Sequence, residues 1–108
     1  MIRVYLSGKI TGLEKGEYIR NFQKAEQHFK MAGYEVVNPV KIGEEILNKK
    51  PSASYEEIMK KDLEALQRCT HIAMIEGWET SPGAKREKAE AERLGLEIMQ
   101  LKLIGGKK

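Results

Sequence analysis

Residues 71–83 read His71-Ile72-Ala73-Met74-Ile75-Glu76-Gly77-Trp78-Glu79-Thr80-Ser81-Pro82-Gly83, a strand, a glycine-bearing loop and a helix start in immediate succession. The run His71–Ile75 is apolar and bounded by turn residues, the pattern of a buried strand. Ser81-Pro82 then supplies a capping hydroxyl followed by Pro at the first helical position, where its missing N–H is no loss. This helix runs to Gly95, a C-terminal breaker, and residues 96–101 form a further strand. Working back toward the N-terminus, Ser54 or Ser52 caps a helix that extends to about Arg68. Before it lie a polar loop, residues 48–52 with Pro51, and a short helix around residues 42–47. Residues 34–37 are a strand ended by Asn38-Pro39. Residues 15–32 carry Ile19, Phe22, Ala25, Phe29 and Ala32 at helical spacing, and Gly33 closes them. Residues 2–7 alternate apolar side chains and break at Gly8, which makes them the first strand.

Strands alternating with helices predict an α/β fold: a parallel sheet with helices on both faces. Right-handed crossovers favour the order 2-1-3-4, a flavodoxin-like three-layer sandwich of about four strands. One domain over residues 1–104 is expected, with residues 105–108 (Gly-Gly-Lys-Lys) a disordered tail. In this order the loops after strands 1 and 3, residues 8–12 and 77–82, flank the crevice where such sheets bind ligands.

At 108 residues, 41% hydrophobic and 32% charged, the chain has the composition of a globular domain with a core of its own. No apolar run approaches the ~20 residues of a membrane span, and no signal peptide is legible. A single cysteine, Cys69, excludes a disulfide framework and suits a cytoplasmic setting. Cys69, His28 and His71 lack ligand spacing, so neither a metal nor a cofactor is expected. The net charge of +3 comes with no basic block interleaved with aromatics, which argues against a nucleic-acid polymer as partner.

Fifteen of the sixteen acidic residues are Glu, and the one Asp is Asp62. On a helical wheel Asp62 falls near the centre of the stripe Tyr55, Ile58, Met59, Leu63 and Leu66. A carboxyl group there is either a structural contact or a crevice acid with a raised pKa. Glu87 lies beside the small-residue face Ala84, Ala91 and Gly95, one turn into its helix. It either pairs with Lys88 or Arg86 or points at the mouth of the crevice. Two inward carboxyls from different helices are the equipment of glycosidic bond cleavage, one nucleophile and one acid. Gly8-Lys9-Ile10-Thr11-Gly12 matches neither dinucleotide nor P-loop patterns, yet it could offer amides and the Lys9 ammonium to a phosphate. The helix start at Ser81 is a second anion-friendly position. Trp78 either covers the sheet end or flanks a planar ligand. Tyr5 is either core or a partner for a catalytic carboxylate. The two His residues read as surface or edge, and the Met residues as core filler.

Tyr5-Leu6-Ser7-Gly8-Lys9-Ile10-Thr11-Gly12, Asp62-Leu63 and Ser81-Pro82-Gly83-Ala84-Lys85-Arg86-Glu87 together resemble the nucleoside 2-deoxyribosyltransferase superfamily, in particular its small DUF4406-type branch. The chain is also similar to the 2'-deoxynucleoside 5'-phosphate N-hydrolases, over about residues 2–101. The resemblance implies that Glu87 attacks C1' of a deoxyribosyl group, that Asp62 protonates the departing base, and that Tyr5 orients the nucleophile. Gly8, Lys9 and Ser81 would line the 5' end of the sugar, and Thr11, Trp78 and Gly83 are further candidate substrate contacts. The hydrolases place Arg where this chain has Thr11, and the transferases carry an Asp where it has Gly77-Trp78-Glu79. The expected function is N-glycosidic cleavage of 2'-deoxynucleosides or their 5'-monophosphates by a homodimer. Hydrolysis is expected over base transfer, because the transferases' C-terminal segment is replaced by Gly-Gly-Lys-Lys. The alternatives are a catalytically silent nucleotide-binding module and a scaffold in which both carboxyls are structural.

Overall fold

A computed structural model describes residues 1–103; the expectation for the tail at residues 105–108 lies outside them. Along the chain run β1 (Arg3–Ser7), α1 (Lys15–Met31), β2 (Glu35–Val37), α2 (Pro39–Lys49), α3 (Tyr55–Leu66), β3 (His71–Ile75), a 3₁₀ turn (Trp78–Thr80), α4 (Pro82–Leu94) and β4 (Glu97–Leu101). The four strands form one parallel sheet in the order β2-β1-β3-β4, as the alternation predicts. The register sets Tyr5 beside Val37 on one side and beside Ile72 on the other.

Period-two alternation along β1 divides the apolar residues between two layers. Val4 and Leu6 face α1 and pack with Phe22, Ala25, Phe29, Ala73 and Ile75. Tyr5 joins Leu66, Cys69, Ile72, Met74, Ala84 and Ala91 on the face covered by α3 and α4. Each large side chain so buried contributes about 1.5–3 kcal/mol. Burial pushes the Cys69 thiol up to about 11, so at neutral pH it is a packing residue without thiolate reactivity. Met59 and Met74 are core, but Met1 and Met31 stand exposed, so the methionines are not uniformly filler.

Capping sets the helix limits. Ser54, and not Ser52, opens α3 through a full capping box with Glu57. Contrary to the short helix expected at residues 42–47, α2 begins at Pro39, because the Asn38 side chain accepts the Val40 N–H and Pro fits the first turn. Asn38 Nδ2 also donates to the buried Glu26 on α1 at 3.0 Å, with Lys30 and Lys41 on the other carboxylate oxygen. Although burial opposes it, this set of donors holds the Glu26 carboxyl down at about 2 and ties the start of α2 to α1. No helix among the described residues is long and apolar enough to cross a membrane.

Candidate active site

At the C-terminal ends of β1 and β3 opens a cavity of about 570 Å³, walled by residues from α1, α2, α3 and α4. Its lining is largely apolar, with Phe22, Val40, Ile58 and Met59 in it, and includes both Asp62 and Glu87. The two carboxyls singled out by their helical positions thus line one space, although they lie 25 residues apart on different helices.

Glu87 is buried against β1. Tyr5 and Ser7 sit two apart on that strand and project from the same face. The Tyr5 hydroxyl donates to Glu87 Oε2 at 2.6 Å, and the Ser7 hydroxyl donates to Oε1 at 2.6 Å. Burial pushes the Glu87 carboxyl up to about 7, against the opposing pull of these two donors. The pairing with Lys88 or Arg86 weighed from the sequence does not occur. Arg86 forks onto Glu56 and Lys88 reaches Glu92. Tyr5 is itself fully buried beside Glu87. Its phenol is raised well above its ordinary value, first by burial and then by the Glu87 charge, and so remains a donor.

Asp62 is the opposite case. It is buried, and its Oδ1 has no hydrogen-bond partner among the described residues. Burial, then the charge of Glu87, pushes its carboxyl up to about 8. Of two carboxyls on one cavity, the one without donors takes the proton and the one with two donors gives it up. The arrangement offers an ionised oxygen nucleophile beside a neutral carboxylic acid.

Two glycines of the cavity lining are closely approached by neighbouring side chains. A Cβ on Gly8 would sit 3.0 Å from Ile75 Cβ and 3.3 Å from Phe22 Cζ, so a larger residue there requires Ile75 and Phe22 to give by a few tenths of an ångström. A Cβ on Gly83 would meet the Tyr55 hydroxyl at 3.0 Å. Thr11 and Ser81 also line the cavity, and the Ser81 hydroxyl caps α4 by accepting the Ala84 N–H.

Two expected ligand residues fall elsewhere. Trp78 is carried toward β4 by its 3₁₀ turn, donates to Gln100 at 3.1 Å and lies under the Lys88 ammonium; it does not line the cavity. Lys9 is also absent from the lining, its stem running along Gly12, and Lys15 on the first turn of α1 takes that place. Ser7, Lys15 and Tyr55 were not among the expected site residues. Only Ser7 had a sequence signal, its two-residue spacing from Tyr5 on a strand. Among the described residues no three His, Cys, Asp or Glu side chains converge as a metal cage.

A family described as "Domain of unknown function (DUF4406)" matches residues 2–100. No curated protein matches the chain. Known structures share its fold, among them the following two. The CMP N-glycosidase BcmB of Clostridium botulinum superposes with a TM-score of 0.60 at 21% identity, covering 93% of this chain and 68% of its own. A 2-deoxyribosyltransferase of Bacillus psychrosaccharolyticus superposes with a TM-score of 0.70 at 23% identity, covering 98% of this chain and 76% of its own.

Proposed function

We propose that this chain, which belongs to the DUF4406 family, is an enzyme that cleaves the N-glycosidic bond of 2'-deoxynucleosides or their 5'-monophosphates. The observation that carries the reading is the unequal pair on one cavity: Glu87 gripped by two hydroxyl donors, and Asp62 with a free oxygen. That a CMP N-glycosidase and a 2-deoxyribosyltransferase share the fold supports nucleoside chemistry at this site. The open cavity, and the commitment of Arg86 and Lys88 to other partners, weigh against a scaffold in which these carboxyls are structural.

In the first step a Glu87 carboxylate oxygen attacks C1', forming a C–O ester bond as the C1'–N bond breaks. The bonding pair leaves with the base, and Asp62 delivers its proton to a base nitrogen. In the second step the Asp62 carboxylate takes a proton from water as the water oxygen bonds C1', and Glu87 leaves as carboxylate. Water is the proposed acceptor. The cavity volume is sufficient for a nucleoside, and its apolar walls suit the face of a base. Lys15, which lines the cavity, is the proposed contact for a 5'-phosphate.

Incubation with a panel of deoxynucleosides and monophosphates, with free base followed by chromatography, tests the reading. Base release that Glu87→Gln reduces by several orders of magnitude supports it. Turnover by Glu87→Gln at the parental rate would remove the covalent step. Binding without base release in any member would leave a nucleotide-binding module. A different free base added in excess separates the acceptors, because formation of the swapped nucleoside with little free sugar would make the protein a transferase.

A further inference from the structure

We propose that Ser7 is a positioning residue for the nucleophile: with Tyr5 it clamps the Glu87 carboxylate, fixing its plane and keeping it ionised where no cation among the described residues does so. The proposal rests on the reading of Glu87 as the nucleophile. Three observations carry it. The Ser7 hydroxyl is fully buried and lies 2.6 Å from Glu87 Oε1, while Tyr5 holds Oε2 at the same distance. A carboxylate gripped at both oxygens cannot rotate about its last bond, so one orientation faces the cavity. The position is also dictated by the strand, since residues i and i+2 of β1 share a face and two hydroxyls there reach one side chain on α4.

The third observation is the absence, among the described residues, of a compensating charge. From α3 the groups facing Glu87 are Asp62 and Tyr55, and from β1 they are Tyr5 and Ser7; none is a cation. The neighbouring bases on α4, Arg86 and Lys88, are committed to Glu56 and Glu92. Only the two hydroxyls draw the Glu87 carboxyl down against its burial. A buried serine needed only to fill the end of a strand could as well be alanine. A donor aimed at the nucleophile could not.

The test is a carboxyl ¹³C NMR titration of Glu87 in the whole chain, assigned by loss of the signal in Glu87→Gln. It is run on the parent, Ser7→Ala and Ser7→Cys. The Glu87 midpoint should rise by about one pH unit in Ser7→Ala and by less in Ser7→Cys, whose thiol is a weaker donor. Turnover should follow. In Ser7→Ala, kcat should fall about tenfold at pH 6 and converge on the parent near pH 9, with KM little changed. An unmoved midpoint in both variants would overturn the clamp and reduce Ser7 to a packing residue. Ser7→Cys guards against a folding failure of Ser7→Ala, because its side chain is close in size. The titration does not require turnover. A moved midpoint in a protein that releases no base would sustain the clamp while the glycosidase reading fails. Turnover with an unmoved midpoint would do the reverse.

Discussion

Replacing Asp62 by Asn should make the protein more stable at neutral pH, and by an amount that depends on pH in a defined way. The carboxyl group is raised from an ordinary value of 3.8 to about 8 in the folded chain, by burial and then by Glu87. Between these values the folded state holds a proton that the unfolded state has released, so raising the pH pulls the chain toward unfolding. The stability that the protonated acid allows is fully present below about pH 4 and is lost as pH rises through about 8. Each pH unit in that window costs about 1.4 kcal/mol, so at pH 7 the burden is on the order of 4 kcal/mol. The amide introduced by Asp62→Asn keeps the shape and polarity of the neutral acid and carries no such burden. Urea unfolding of parent and Asp62→Asn at intervals from pH 4 to 9 should therefore give curves that meet near pH 4. They should diverge by about 1.4 kcal/mol per pH unit and run parallel above about pH 8. Glu87 titrates in both proteins and largely cancels in the difference. A constant offset across the whole range would refute the reasoning, because Asp62 would then ionise as an ordinary surface carboxyl and could not be the acid.

The remaining predictions concern the cavity walls. Gly83→Ala places a Cβ 3.0 Å from the Tyr55 hydroxyl and 3.4 Å from Met59 Cε. Tyr55 is half exposed and can swing away, so stability should change by less than about 1 kcal/mol while KM shifts severalfold; unaltered kinetics would show that Tyr55 does not contact substrate. Lys15→Ala should weaken binding of a monophosphate by about three- to tenfold, with the difference eroded by salt, while nucleoside affinity in calorimetry stays constant. Equal losses for both would deny Lys15 a phosphate contact. Ser81→Ala removes the α4 cap and should cost about 1 kcal/mol in chemical denaturation; no loss would mean the Ala84 N–H finds another acceptor.

What the chain determines by itself is whatever is local. Ser81-Pro82 and Gly95 bound α4, Ser54 and Glu57 open α3, and the apolar run at residues 71–75 is β3, because a cap or a turn is satisfied within a few residues of its own backbone. Alternation of such elements is enough to order the sheet, since right-handed crossovers leave few arrangements. The inward placement of Asp62 was also legible from its apolar stripe, whereas for Glu87 the sequence left a pairing with Lys88 or Arg86 open and packing against β1 decided it. Asn38 shows where local reading stops. Its cap on Val40 is local and sets the start of α2 ahead of the apolar periodicity, but its bond to Glu26, twelve residues back, is outside local reading. The site goes further beyond local reading. Whether Lys9 or Lys15 meets the cavity depends on how the Gly8–Gly12 turn closes. Trp78 turns to Gln100, 22 residues on, instead of to a ligand. Ser7 finds Glu87 across 80 residues only when β1 and α4 pack face to face. A carboxylate's partners and its proton are set by what surrounds it in three dimensions, and burial, which raises both carboxyls, exists only once the layers close.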